Sequence, residues 1–468
     1  MSADVHAAHW AVLAESLAGV SSRAQARLEA EFGAGEMFRR CFANAWTTTL
    51  RGDPAEPFVI TGDIEAMWHR DTVGQLRPYL TGLPDPAVLR VLTGVVRRMA
   101  RAVLADPYAN AVNDGPTGGH ADEHDRPAPP PDVWERKYEV DSLCSLLSFG
   151  YELWAAGGSA AHLDGDFAAA ADLVMRVWRV EQDHERDSPY RFERVAGPFQ
   201  ADTLDRGGLG SPVGRTGMTW SGFRPSDDRC EYGYLIPANA AAVVALNGVV
   251  RLCDEGLLEP ALGTRALELA VELAGGIARH GVAQTGSGPV YAYEVDGLGG
   301  VNLMDDANVP SLLSLPYLGW CDRDDPLYLR TRAFVLSERN PYHYRGRAAE
   351  GVGSPHTPAR HIWPMALCVQ ALTAGSRQES ADAYRLLLAT EAGTGLMHES
   401  FHADDPAAFT RPWFAWANSL FAELSLSLAG LPVPRPIPPV PAEVADAVRA
   451  AGSPVTLGSG RQQLGHQR

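Results

Sequence analysis

The sequence predicts an all-α protein, a toroid of helices around a pit, and three observations lead there. Apolar residues recur at three- and four-residue spacing in about a dozen segments, near 11–32, 36–50, 67–80, 86–105, 138–156, 166–182, 231–255, 259–280, 308–318, 325–338, 361–373, 379–390 and 412–428. That spacing is the period of an amphipathic helix. Strand-like runs are few and short, at 58–61 and 290–295. The connections alternate between short and long, and residues 106–135 and 190–230 are too long for ordinary links in a compact domain. Loops of that length usually carry function or are disordered.

The unusual polar residues lie in such loops, each at a helix entrance: Asn113-Asp114-Gly115, Trp220-Ser221-Gly222-Phe223-Arg224-Pro225-Ser226-Asp227-Asp228, Gly353-Ser354-Pro355-His356-Thr357-Pro358 and Met397-His398-Glu399-Ser400-Phe401. A ring of helices whose loops converge at one end gathers them in one place. A chain of 468 residues suits about three domains at roughly 150 residues each, but no linker divides residues 1–430, so one domain is expected there. Residues 431–441 are polyproline-like and 458–468 are polar, so 431–468 is expected to be a disordered tail.

Composition narrows the function. With 40 Lys+Arg against 57 Asp+Glu, the net charge of −17 argues against a nucleic-acid surface, which needs clustered cations. Lys137 is the only lysine, as expected from coding bias in a GC-rich genome. The six cysteines lie far apart without a CxxC pair, and a chain this long needs no disulfide staples. No secretory signal is evident at the start, and no apolar run reaches the roughly 18–20 residues of a membrane span. A cytoplasmic, reduced monomer with no membrane partner is expected.

Among chemical motifs, His398-Glu399-Ser400-Phe401-His402 matches the H-E-x-x-H zinc pattern, which works when a helix puts both histidines on one face. Gly393-Thr394-Gly395 before it and Asp404-Asp405-Pro406 after it would interrupt any such helix, so a zinc metallopeptidase is the weaker reading. Ser221 misses the G-x-S-x-G spacing of a serine hydrolase. What remains is carboxylates interleaved with aromatics. Asp63, Glu65 and Asp71 surround Trp68 and Arg70; Glu135, Glu139 and Asp141 surround Trp134 and Tyr138. Asp227 and Asp228 follow Trp220, Phe223 and Arg224; Asp305 and Asp306 follow Tyr291 and Tyr293; Glu399 precedes Trp413 and Trp416. Any one cluster could be solvated charge, helix caps and core tryptophan. Five with the same grammar, all at breaks in helical periodicity, point to a carbohydrate site, where carboxylates take hydroxyls and aromatic faces cover C–H patches. Glycoside hydrolysis then needs two carboxyl groups flanking the bond.

These segments resemble one family, the metal-independent α-mannosidases of glycoside hydrolase family 125. The matching stretches are Thr61-Gly-Asp-Ile-Glu-Ala-Met-Trp-His-Arg-Asp71, Trp134-Glu-Arg-Lys-Tyr-Glu-Val-Asp141, the Trp220 to Asp228 segment, Tyr291-Ala-Tyr-Glu-Val-Asp-Gly297 with Met304-Asp-Asp-Ala-Asn-Val-Pro310, the Gly353 to Pro358 segment, and Gly395-Leu-Met-His-Glu-Ser-Phe401 with Phe414-Ala-Trp-Ala-Asn-Ser419. They run in order over residues 35–425, and the Pro-rich tail falls outside them. His69 stands where an apolar residue is expected. The resemblance implies an (α/α)6 barrel that removes terminal α-1,6-linked mannose from oligosaccharides, with inversion and with no metal or other cofactor. It implies that Asp227 or Asp228 is the general acid, with Asp227 preferred, and that Glu399 is the general base. Adjacent like charges at 227 and 228 tend to raise one pKa, which favours a protonated acid. Inversion implies carboxyl groups roughly 6.5–9.5 Å apart. Arg70 and Asp71 are expected to hold the terminal sugar, with Asp63, Glu65, Trp68 and Arg224 nearby. His356, Asp305, Asp306, Asn308 and His398 are further candidates. The rival on the same fold is an inverting α-glucosidase-like enzyme; a non-catalytic sugar-binding protein is disfavoured because all three carboxylates are present.

Overall fold

The computed structural model describes residues 3–195 and 200–459. The described residues are mostly helical. In chain order the helices are α1 (Ala3–Phe32), α2 (Gly35–Asn44), α3 (His69–Leu76), α4 (Pro86–Ala105), α5 (Val140–Gly157), α6 (Gly165–Glu181) and the short turns α7 (His184–Asp187) and α8 (Asp205–Gly208). Then come α9 (Ile236–Asp254), α10 (Pro260–His280), α11 (Leu315–Leu318), α12 (Pro326–Val335), α13 (Pro364–Leu372), α14 (Arg377–Ala389), α15 (Ala415–Leu428) and α16 (Ala442–Ala450). Helix α3 packs on α5, α5 on α9, α9 on α11, α13 on α15, and α15 back on α3. Helices α2, α4, α10 and α14 flank α15, α5, α9 and α13. The flanking helices keep an exposed polar face, whereas α9 and α15 are buried almost all round. Helix α9 is long and apolar enough to cross a membrane, which the reading of the sequence denied, but 89% of its apolar window is buried inside the protein. It is a core helix here.

Helix starts differ, and among the flanking helices α2 and α10 carry no side-chain cap. The flanking helices α4, α6, α12 and α14 begin at Asp85, Asp164, Asp325 and Ser376, whose side chains accept backbone N–H groups of the first turn, the usual way of satisfying orphan donors. The packed helices α3, α5, α9, α13 and α15 begin at Trp68, Glu139, Leu235, Trp363 and Phe414, none of which caps its own helix. Their positive dipole ends stay free for other partners.

Most of the expected helices are found, with two corrections. The segment expected to be helical over 308–318 is helical only over Leu315–Leu318. The Asp305 carboxylate accepts the N–H groups of Leu312 at 2.7 Å and Leu313 at 2.9 Å. Side-chain acceptors of this kind draw the backbone away from the helical ladder. Likewise the helix expected over 36–50 ends at Asn44 and widens over Ala45–Thr49, where Thr48 and Thr49 hydroxyls donate to carbonyls four residues back. The long connections are folded rather than loose. Met67–Trp68, Ala111–Val112 and Val133–Glu135 form a three-stranded antiparallel sheet.

The expectation of a disordered tail is also corrected over 431–459; residues 460–468 lie outside the described residues. Arg435 stacks on the Tyr317 ring and pairs with Glu423 on α15, Tyr317 Oη donates to Glu423 at 2.9 Å, and α16 packs on α10. A proline-rich chain has little conformational entropy to lose on docking, so a few contacts hold it. The strap residues Arg435–Pro438 line one pocket with Arg77 just after α3, Tyr151 and Glu152 near the end of α5, and Ala241–Gly248 in the middle of α9.

Helices α3 and α15 approach closely because Gly74 has no side chain: a Cβ there would stand 2.1 Å from Trp416 Nε1. Gly74→Ala is therefore expected to lower stability by about 1–3 kcal/mol, as overpacking does. A denaturant titration of the variant, which should also show a disturbed tryptophan signal, checks this.

Candidate active site

The uncapped helix ends meet at a cavity of about 400 Å³. The entrance of α3 contributes Trp68, Arg70 and Asp71, the loop before α9 contributes Pro225, Ser226 and Asp227, and the segment before α11 contributes Asn308. His356 and Trp363 precede α13, and Glu399, Arg411 and Phe414 precede α15, with Trp416 in its first turn. The carboxyls of Asp227 and Glu399 thus open on the same space.

Arg70 dominates the electrostatics. Its Nη1 donates to Glu139 Oε2 at 2.6 Å and to Asp141 Oδ2 at 2.8 Å. Its Nε lies 3.9 Å from Asp71 and its Nη2 lies 3.7 Å from Asp227. One guanidinium therefore faces four carboxyl groups in a buried place, and they cannot all ionise cheaply. Burial pushes Asp71 up to about 6 although Arg70 opposes it. Burial likewise raises Asp141, and it raises Glu139 well above the usual carboxyl range. Asp227 goes the other way. Burial favours its neutral form, but the Lys137 and Arg70 charges and a hydrogen bond from Glu139 prevail and lower its pKa. The expectation that the adjacent aspartates would raise the acid's pKa is thus corrected for Asp227: cations, not Asp228, set it.

Asp227 and Asp228 part company. Asp227 adopts φ 67°, a left-handed conformation that Asp tolerates at some strain, and its side chain remains 27% exposed toward the cavity. Lys137, whose side chain is 2% exposed, donates to the Asp227 carbonyl and to Asp202, both at 2.9 Å. Asn110 Nδ2 lies 3.3 Å from Asp227 Oδ1. The Asp228 carboxyl turns away and accepts from His356 Nδ1 at 3.0 Å. Behind the loop, Trp220 is stacked on His184 with 3.5 Å between ring centroids and packs against Tyr138 and Tyr190.

Seven predicted site residues line the cavity: Trp68, Arg70, Asp71, Asp227, Asn308, His356 and Glu399. The others do not. Asp63 sits at the rim and clasps Arg411, with Oδ1 2.6 Å from Nη2. Glu65 is exposed. Arg224 is committed to a two-pronged pair with Glu294 at 2.6 and 3.1 Å, which fixes the start of the loop carrying Asp227. Asp305 holds the turn before α11. Asp306 stands behind the wall, accepting from Ser226 at 2.9 Å and from Asn308 at 3.1 Å. His398 stacks on Phe409 at 3.7 Å. His69 is fully buried and held neutral, its pKa pushed down to about 4 by burial, so it packs like the apolar residue expected there.

The zinc motif lacks its geometry. Residues Ser400–His402 are a β-strand, so His398 and His402 do not share a helix face, and His402 lies beside the His361 ring instead. Among the described residues no group of three His, Cys, Asp or Glu is placed to hold a metal ion.

Sequence reading missed Arg411, Ser226, Trp363 and Phe414 in the wall. Arg411 Nη1 reaches Glu399 Oε1 at 3.3 Å while the same guanidinium clasps Asp63. The signal was an arginine followed by proline and two aromatics at the entrance of α15. Nothing local marks Ser226, whose role depends on Asp306, 80 residues later.

The family described as metal-independent alpha-mannosidase (GH125) matches residues 33–426. The meiotically up-regulated gene 157 protein of Schizosaccharomyces pombe is 39% identical over 417 residues, 84% of this chain and 81% of that one. A Streptococcus pneumoniae protein, described as a metal-independent alpha mannosidase in a non-productive complex with alpha-1,6-mannobiose, superposes with a TM-score of 0.86. It is 43% identical, and the match covers 89% of this chain and 98% of that one. A bacterial glucoamylase bound to acarbose shares the fold at 12% identity and a TM-score of 0.59, over 88% of this chain and 57% of the other.

The His356–Asp228 pair yields a pH prediction. Burial opposes a charged imidazole, but the hydrogen bond and charge of Asp228, with Glu399 and Asp227 nearby, raise His356 to about 9. A pKa raised in the folded state adds stability below the unfolded value of 6.5, and that stability is lost as pH rises through about 9. Asp228→Asn should flatten the melting temperature across that window, and melting curves from pH 6 to 10 check it.

Proposed function

The chain belongs to the metal-independent α-mannosidase family, glycoside hydrolase family 125, and from that membership we propose an inverting exo-α-1,6-mannosidase with Asp227 as general acid and Glu399 as general base. One observation carries the assignment: the carboxyls of Asp227 and Glu399 come from different helix entrances and open on one small cavity walled by Trp68, Trp363 and Trp416. The α-1,6 linkage is supported by the mannobiose described with the Streptococcus pneumoniae relative. The packing order of α3, α5, α9 and α11, and of α13, α15 and α3, supports reading these helices as the inner ring of an (α/α)6 barrel.

The terminal mannose enters the pit with its hydroxyls toward Arg70 and Asp71, and the tryptophan faces cover its C–H patches. Asp227 delivers a proton to the departing glycosidic oxygen, while Glu399, oriented by Arg411, takes a proton from the water that attacks the anomeric carbon. The charge-rich floor under Arg70 blocks a continuing chain, which suits removal of single terminal sugars.

Two outcomes are expected. Glu399→Gln should fall at least about 10²-fold in kcat on α-1,6-mannobiose at an unchanged melting temperature; undiminished turnover would remove Glu399 from the mechanism. Against α-1,6-, α-1,2- and α-1,3-mannobiose and maltose, release of monosaccharide should be fastest from the α-1,6 isomer. Preferential cleavage of maltose would instead indicate an α-glucosidase.

A further inference from the structure

We propose that Lys137 aims the acid: its ammonium holds the Asp227 peptide in the left-handed conformation that presents the carboxyl to the pit. The inference deepens the function proposed above and rests on it.

Asp227 has φ 67°, a region in which a residue with a side chain is strained, so its surroundings must hold it there. The turn around it closes through two backbone bonds, from Asp227 N–H to the Arg224 carbonyl at 2.9 Å and from Arg224 N–H to the Asp228 carbonyl at 2.7 Å. Neither uses the Asp227 carbonyl. That oxygen accepts from Lys137 Nζ at 2.9 Å. The same nitrogen donates to Asp202 Oδ1 at 2.9 Å and lies 3.7 Å from Glu135 Oε1, with the Phe223 ring 5.3 Å away. An ammonium has donors only, and here two of them tie the acid's peptide to an acidic anchor outside the turn.

The main chain of Lys137 adds a second hold. Its N–H donates to Asn110 Oδ1 at 3.1 Å. That commits the Asn110 oxygen and turns its amide nitrogen toward Glu135 Oε2 at 3.0 Å and Asp227 Oδ1 at 3.3 Å. One residue thus grips Asp227 directly at its peptide oxygen and, through Asn110, at its carboxyl. The ammonium bonds the carbonyl and leaves the Asp227 side chain 27% exposed toward the cavity. Lys137 itself lies between the strand Val133–Glu135 and α5, buried and outside the cavity lining. It acts through Asp227 and is a positioning residue. Composition agrees: arginine fills the role of lysine everywhere else in this chain. A guanidinium spreads its donors over a planar fork, whereas a carbonyl and a carboxylate converging on one nitrogen require a compact ammonium.

The test compares two leaving groups. α-1,6-Mannobiose departs as an alkoxide that must be protonated, whereas fluoride leaves α-mannosyl fluoride without acid help. Lys137→Met should lose about 10²-fold in kcat on mannobiose, the scale of a small misplacement of a reacting group, with KM little changed. On the fluoride it should stay within the native order of magnitude. Asp227→Asn should show the same split, and Lys137→Arg, which keeps the charge, should keep the loss. Equal losses of Lys137→Met on both substrates would show that Lys137 merely holds the site together. Undiminished turnover of mannobiose by Lys137→Met would show that the ammonium is not needed, and by Lys137→Arg that charge alone suffices; each of these overturns the proposal. If Lys137→Met does not fold because Asp202 is left unpaired, Lys137→Met combined with Asp202→Asn is read by the same criteria. A second readout is independent of turnover. Because Lys137 is the only lysine, nitrogen-15 lysine labelling gives a single side-chain NMR signal. Ammonium protons held as described should exchange slowly enough to be seen at neutral pH; a signal lost to exchange with water, as from an exposed lysine, would overturn the proposal. Equal losses in Asp227→Asn, or native protein inactive on both substrates, would instead overturn the function proposed above, and this proposal with it.

Discussion

The structure of the pit depends on a buried charge imbalance. Arg70 faces Asp71, Glu139, Asp141 and Asp227, and Lys137 nearby is shared among Asp227, Glu135 and Asp202. Such a cluster stays folded only if protons or positive dipoles make up the deficit. The uncapped entrances of α3 and α5 supply dipoles at the right place, and the raised pKa values of Asp71, Asp141 and Glu139 supply protons.

The rest of the fold serves to hold that cluster. Arg224 locks to Glu294 and the Trp220 ring lies against His184, so the loop that follows them can present Asp227 in a left-handed conformation. Asp306 binds Ser226 and Asn308 together from behind. The proline-rich strap is held on the packed helices through Arg435, Tyr317 and Glu423. The one lysine in a chain otherwise rich in arginine lies in the site, 2% exposed. A compact ammonium that donates to both the Asp227 carbonyl and Asp202 is not replaced by a planar guanidinium.

Helix periodicity was legible because it repeats over many residues, and the start and end of α4 at 86 and 105 fall where the pattern placed them. Local side-chain competition was not legible: the run before α11 looks helical until Asp305 is seen to take two of its N–H groups. Lining residues from long motifs, such as Arg70, Asp227 and Glu399, were found, but acidic neighbours that support rather than line, such as Asp305 and Asp306, look identical in sequence. Arg411 escaped because its value lies in pairs with Asp63 and Glu399, one of them 348 residues away. The tail misled because proline content signals extension, and extension is compatible with docking as well as with disorder.

In the proposed mechanism two carboxyls on opposite sides of the terminal sugar act in one displacement, with a water beside Glu399. Proton NMR of the first sugar released from α-1,6-mannobiose, read before mutarotation, tests this most directly. β-Mannose appearing first is the predicted result; α-mannose appearing first would contradict it.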